Sequence, residues 1–433
     1  MSDAAGRALG RRLALAGLAI GAGCLAITAA ARWSGGPARV WLLLAAIGSM
    51  ACGYLAALGD VRRVVCRTGP SMRRVFIPTA IFSLILLAGP PLLDDDLHRY
   101  LWEGKVVLHG RNPYLHAPAS PALADLRDDA SRLVGYPKLP SPYPPMAQVI
   151  FAAMRLVSGG ALVPARLVLL LFFAGSVWLA ADLLRRSGAD PRLVIMYAWN
   201  PVVLKEFANS GHIEPAAIFF MLLAFRLQAE GREGWAGTAI GAAVLTKVFP
   251  VFVAPLLLFR SRRPGRFLGC AALLAVALYA PFISAGRAVT GSLGTYARWW
   301  VFNHGAWELW EGLVGRERSR VLFWAAVVLA SLAVGWSARR LGEAAAVGRG
   351  GRLLFWTAVA SPAVMPWYLT WGLPLAAPGA WMPAALFPIL SAGSYAYYLA
   401  HRDLQWLRRG IHLALPLLVA WAWWRDRRER RSR

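Results

Sequence analysis

Long apolar runs broken by short basic stretches set the pattern of this chain. Candidate spans fall at 13–31, 39–59, 75–93, 162–184, 192–206, 213–229, 235–246, 248–260, 267–285, 320–338, 353–366, 367–379, 381–399 and 411–424. Several are shorter than the roughly 20 residues that a full crossing needs. The pattern predicts an all-α polytopic membrane bundle of about 11 to 14 transmembrane helices. Short or broken spans must lie against protein, because lipid cannot satisfy free backbone groups. Composition agrees: 58% of residues are hydrophobic and 16% charged, whereas soluble domains carry about 25% charged residues. The whole chain, 1–433, reads as one transmembrane domain. Four cysteines, Cys24, Cys52, Cys66 and Cys270, lie in or beside apolar runs. They show neither metal-ligand spacing nor a disulfide framework.

Charge changes the picture in one respect, orientation. The formal net charge of +25 would suit a nucleic-acid binder. Position argues otherwise. The arginines gather at the termini and in short loops, among them Arg62, Arg63, Arg67, Arg73 and Arg74, Arg185 and Arg186, Arg260, Arg262 and Arg263, and Arg425 to Arg433. Short loops rich in Lys and Arg stay cytoplasmic and favour anionic headgroups. No nucleic-acid partner is expected. With both termini cytoplasmic, the third span ends outside at Asp94. Two longer segments, 94–143 and 286–319, then face the extracytoplasmic side. Long ordered loops usually carry function.

The first outer loop, taken as 94–158, contains its own pattern. Leu97, Leu101, Val106 and Leu108 alternate with His98, Arg99, Glu103 and Lys105 at helical spacing. That predicts a juxtamembrane helix over 97–109. Pro-rich coil follows from Ala117 to Tyr143. Pro144-Pro145 can then open a second surface helix over 146–156, since proline fits a first helical turn.

Candidate chemistry clusters at four places. Asp94, Asp95 and Asp96 follow directly on an apolar run. Asp96 can cap a helix that begins at Leu97, but a cap needs one acid rather than three. A carboxylate there could take a proton from an attacking hydroxyl. Between two apolar runs, Asn200-Pro201 leads into Lys205, Glu206, Asn209, Gly211, His212 and Glu214. Such polar density suggests a polar cavity, although a solvated turn would also accommodate it. Lys247 sits between Leu245 and Val248, where it must snorkel, find a partner or meet a phosphate. The segment with Arg298, Trp299, Trp300, His304, Trp307 and Trp310 offers rings for the membrane interface or for sugar stacking. Pro366-Trp367-Tyr368 adds a similar cluster. No phosphate-loop or dinucleotide motif is present. No cofactor or metal is expected, although Asp94 and Asp96 could hold a divalent cation.

Taken in order, these pieces resemble the GT-C superfamily of integral-membrane glycosyltransferases. The chain is similar to the bacterial hexosyl- and mannosyltransferases that use polyprenyl-phosphate sugars. The likeness rests on Asp-Asp-Leu-His-Arg-Tyr-Leu-Trp-Glu-Gly at 95–104, Gly-Arg-Asn-Pro-Tyr at 110–114 and Tyr-Pro-Pro-Met-Ala-Gln at 143–148. Asn-Pro at 200–201, Gly-His-Ile-Glu at 211–214, Leu-Thr-Lys at 245–247 and Pro-Trp-Tyr-Leu at 366–369 complete it. The resemblance implies a helical bundle with two surface helices in its first outer loop, and residues 1–74 as an N-terminal two-helix extension. It implies Asp96 as general base, with Asp94 and Asp95 beside it. Arg99, Tyr100, Lys247, Glu206, His212, Glu214, Arg298, His304, Trp367 and Tyr368 become the expected substrate-binding residues, Lys247 facing the donor phosphate. Many relatives carry His-Pro-Trp-Tyr where this chain has Met365-Pro366-Trp367-Tyr368, so His304 could substitute for that histidine. The implied reaction is inverting hexosyl transfer, with mannose a candidate sugar, from a polyprenyl-phosphate donor to a glycan or lipid acceptor. Its place would be the outer side of the bacterial inner membrane.

A lipid-linked sugar flippase or transporter is the rival. It too needs many helices and buried charge, but transporters tend to show internal repeats and carboxylates near the bilayer midplane. The sequence shows no repeat, and its acids cluster at the end of an apolar run.

Overall fold

The computed structural model describes residues 3–33, 36–63, 71–303, 305–400 and 405–431. Cys66, Arg67, His304 and Arg433 fall outside them. Among the described residues the secondary structure is helical, apart from one isolated bridge between Phe302 and Ala363. Five helices are long and apolar enough to cross a membrane: Gly6–Arg32, Ala38–Arg63, Leu162–Arg186, Pro264–Trp299 and Arg316–Ala338. A sixth arises if the bent pair Pro201–Ser210 and Glu214–Ala229 is one span. Much of the remaining apolar sequence is cut into shorter helices, often with proline in the first turn. This is an integral membrane protein with an all-α fold.

The described chain sorts into two compact units. The first comprises Met1–Leu86, Ala180–Lys205 and Val301–Arg433. Its N-terminal helices, Asp3–Arg32 and Ala38–Arg63, lie side by side because small residues let the backbones meet. A Cβ on Gly53 would stand 2.8 Å from the Ala16 carbonyl oxygen. Polar groups tie distant segments together inside this apolar unit. The Tyr54 hydroxyl donates to the Met196 carbonyl at 2.9 Å. The Trp199 indole N–H donates to the Thr79 hydroxyl at 3.0 Å. Asn200 caps the short Pro201–Leu204 helix through its side-chain oxygen and donates to the Ala385 carbonyl at 3.1 Å. Lys205, fully buried, lies over the Tyr395 ring at 4.6 Å.

The second unit comprises Leu87–Leu179 and Glu206–Trp300. Both expected surface helices are present, as Asp96–Leu108 and Pro145–Ser158. The first has the helical spacing of apolar residues that its burial requires: Leu97, Tyr100, Leu101 and Val106 all face inward. The second starts with Pro145 at its first turn and stops at Gly159, whose φ of 59° closes the helix. Tyr100 stacks on Phe151 with ring centres 4.4 Å apart. Gly104 is required at the crossing, since a Cβ there would sit 2.2 Å from the Phe151 carbonyl oxygen. The coil between these helices contains two short 3₁₀ turns, Pro121–Leu126 and Asp129–Leu133. Beside them, Glu214–Ala229 and Glu233–Thr246 form a helical hairpin. Pro264–Tyr279 crosses it closely at Gly237.

Candidate active site

The acid trio begins at a strained turn. Leu93 has a φ of 58°, a conformation that costs a leucine about 1–2 kcal/mol. Asn209 holds the preceding residues in place. Its side-chain oxygen accepts from the Leu92 N–H at 3.0 Å, and its amide donates to the Pro90 carbonyl at 2.9 Å. The Asp96–Leu108 helix starts at Asp96 itself, and its N-cap residue, Asp95, makes no side-chain cap bond; Asp94 Oδ1 accepts from the Asp96 N–H at 3.0 Å. Asp94 Oδ2 then faces His212.

On the opposite wall, Lys205–Ser210 forms a π-helical turn, a rare form that often marks functional sites. The Glu206 carbonyl accepts from the N–H groups of both Gly211 and His212, each at 3.1 Å. Gly211 has a φ of 79°, and a Cβ there would lie 2.8 Å from Arg166 Cγ. Backbone conformation and space both demand glycine. The turn delivers His212, fully buried, to three carboxylates. Its Nε2 is 2.9 Å from Asp94 Oδ2 and 3.0 Å from Glu206 Oε2. Its Nδ1 is 3.4 Å from Asp96 Oδ2. The Tyr100 hydroxyl reaches the same Asp96 oxygen at 3.4 Å. Lys247 ends the Glu233–Thr246 helix in an extended conformation and pairs with Glu214. Glu214 is wholly buried, and the Lys247 side chain is 16% exposed.

Asp95 and Asp96 are electrostatically distinct. Burial pushes the Asp96 carboxyl up, but the hydrogen bond from His212 and the charges of His212, Lys247 and Arg99 hold it below the ordinary carboxylate range. Asp96 is thus ionised at neutral pH and able to accept a proton. Asp95 moves the other way, to about 6, through desolvation first and then the charges of Asp96 and Asp94. Its carboxylate lies against Gly135, where a Cβ would meet it at 2.3 Å. Asp95 therefore faces the loop.

Arg99 is placed to hold that same loop. It donates to the carbonyls of Gly135, Tyr136, Leu139 and Pro140 at 2.6–3.3 Å, and to Glu103 at 2.9 Å. Glu103 in turn accepts from Ser141 at 2.6 Å and Gln148 at 2.8 Å. The arginine's fork geometry suits this bridging, which a lysine could not reproduce. Arg298 is exposed on the Gly291–Trp299 helix. Near it Trp300 meets the Tyr136 ring at 4.5 Å, joining the two expected outer loops. Trp367 and Tyr368 belong to the first unit, where Tyr368 packs on Trp371.

Sequence reasoning missed Arg166. It lies within the apolar Leu162–Arg186 helix and is 1% exposed. It donates to the Asn209 carbonyl at 2.9 Å and the Leu87 carbonyl at 3.0 Å. One guanidinium so braces the approach to the acid trio against the turn that carries His212. The available signal was an arginine inside an apolar span, which always needs a partner. Arg166→Ala would strand two buried carbonyls, at about 1–3 kcal/mol each. The expected result is a clear fall in thermal unfolding temperature in detergent; an unchanged transition would deny it this role.

Asp94, Glu206 and His212 also form a set of possible metal ligands, with one donor atom from each lying within 4.8 Å of the others. With this geometry in view, comparison with known proteins is informative. A family model described as alpha-(1->6)-mannopyranosyltransferase, N-terminal domain, matches residues 9–261, more than half of the chain. The chain belongs to the MptA_B family. That membership makes it a membrane glycosyltransferase, in line with the expected GT-C resemblance. The MptA_B match also covers every residue of the cluster, from Asp94 to Lys247. The chain is similar to alpha-(1->6)-mannopyranosyltransferase A of Mycobacterium tuberculosis, with 27% identity over 88% of this chain and 80% of that protein. Alpha-(1->6)-mannopyranosyltransferase B of Corynebacterium glutamicum is 24% identical over 82% of this chain and 68% of its own length. No solved structure matches.

Proposed function

We propose that this MptA_B-family chain transfers a mannosyl residue from a polyprenyl-phosphate donor to a glycan or lipid acceptor on the extracytoplasmic side, with inversion at the anomeric carbon. The names of the relatives favour an α-(1→6) linkage. One observation carries the reading: the ionised Asp96 shares a pocket with His212 and lies within the field of Lys247. Asp96 accepts the acceptor's hydroxyl proton as the oxygen attacks. The bond from the anomeric carbon to the phosphate oxygen breaks, and the lipid phosphate leaves with that electron pair. Lys247 offsets its charge. Such placed positive groups lower a barrier by a few kcal/mol. Glu214 is the group assigned to a sugar hydroxyl. The polyprenyl tail stays in lipid throughout, which accounts for a catalytic loop built on a membrane bundle.

The test uses membranes containing the full chain, radiolabelled polyprenyl-phosphate mannose and a mannan oligosaccharide acceptor. Labelled product with inverted anomeric configuration is expected. Transfer from a nucleotide-diphosphate mannose, with none from the lipid donor, would overturn the donor assignment.

A further inference from the structure

We propose that Asp94, Glu206 and His212 bind one divalent transition-metal ion, with Mn²⁺ as the probe that tests it. The inference rests on their geometry and goes beyond the transfer reaction. Donor atoms that occupy adjacent positions around such an ion, each about 2.1 Å from it, lie about 3 Å apart. Asp94 Oδ2 and Glu206 Oε2 stand 2.9 and 3.0 Å from His212 Nε2. An N–H on that nitrogen points in one direction and serves one oxygen well. A cation between the three donors, taking the place of the proton on Nε2, serves both carboxylates and the imidazole lone pair together.

The surroundings match what a metal-bound histidine needs. Such a ring normally directs its other nitrogen at a carboxylate, which fixes tautomer and orientation. Here Nδ1 faces Asp96 Oδ2 at 3.4 Å. The ligands are also pre-placed. Glu206 lies in the π-helical turn and His212 follows two residues after it, its N–H bonded to the Glu206 carbonyl. Asp94 is fixed through Oδ1 by its bond from the Asp96 N–H, and its Oδ2 faces His212. A separate observation points to a ligand in this pocket. Glu214 Oε2 is buried and has no hydrogen-bond partner among the described residues, although Lys247 holds the other oxygen. Glu214, Asp94 and Asp96 all act on the Tyr100 phenol, so Glu214 lies close to the same cluster. Water on a bound cation would supply the missing donor. One imidazole with two carboxylates suits a first-row transition metal better than Mg²⁺ or Ca²⁺, which favour oxygen alone. Asp96 stays outside the coordination sphere, next to the ion, with its proton-accepting role intact.

The experiment uses the full chain in detergent, stripped with a chelator and titrated with Mn²⁺ under electron paramagnetic resonance. One bound Mn²⁺ per chain is expected, with a nitrogen coupling in electron spin-echo modulation. His212→Gln should abolish that coupling, and Glu206→Gln should weaken binding about tenfold or more. Asp94→Asn provides the comparison if either variant elutes as aggregate, with the same loss of affinity. A folded wild type that binds Mn²⁺ more weakly than about 1 mM would overturn the site. So would a nitrogen coupling that survives His212→Gln. Because the readout is binding, its failure leaves the transfer reaction standing, and failure of transfer leaves the metal site standing.

Discussion

Asp96→Asn is expected to lower mannosyl transfer by about 10²- to 10⁴-fold, the range that positioned acid–base groups contribute. The substitution keeps the side chain's shape and removes its ability to take a proton. The loss should fall on kcat rather than KM, because the proton moves only as the hydroxyl attacks. The Asp96 side chain is 32% exposed, whereas that of Asp94 is 7% exposed. Removing the Asp96 charge should therefore leave the fold intact, and an unchanged elution profile in detergent checks this. Asp95→Asn should cost far less, since that carboxylate faces Gly135. Equal losses in the two variants, or undiminished transfer by Asp96→Asn, would remove Asp96 from the base role.

Lys247→Met should act on stability and transfer at once. Glu214 is wholly buried and paired with this lysine. Taking away one partner of a buried pair typically costs about 3–5 kcal/mol, because it leaves an uncompensated charge. Adding Glu214→Gln removes that charge and should restore most of the stability, read as thermal unfolding in detergent. Transfer should stay depressed in the double variant, because a methionine cannot offset charge on the leaving phosphate. Recovery of transfer along with stability would mean that Lys247 only neutralises Glu214. Lys247→Arg keeps the charge and should fall between the two.

The surface helices were legible in sequence because each follows a local rule. Leu97, Tyr100, Leu101 and Val106 recur at helical spacing, and Pro145 can only begin a helix. The polar residues from Glu206 to Glu214 also stood out, since charge between apolar runs is costly in a membrane. Their partners were not legible. Nothing local tells His212 to turn toward Asp94 and Asp96 while Glu214, two residues on, turns to Lys247. The π-helical turn and the left-handed Gly211 decide that, and both depend on Arg166 and Asn209 bonding to segments far away in the chain. Arg99 shows the same limit. Its motif marked it as a substrate contact, yet its guanidinium is placed among the carbonyls of a loop that sequence could describe only as coil.

Hydrophobic periodicity and charge placement, by themselves, determined that this protein is a membrane helical bundle with an acidic loop between its apolar runs. Those properties are sums over neighbouring residues, so the order of residues is enough to reveal them. Which carboxylate meets the imidazole, which meets the lysine and which is turned away was decided only in three dimensions. A buried charge must find its counter-charge wherever packing brings one, and packing joins residues that sequence keeps far apart.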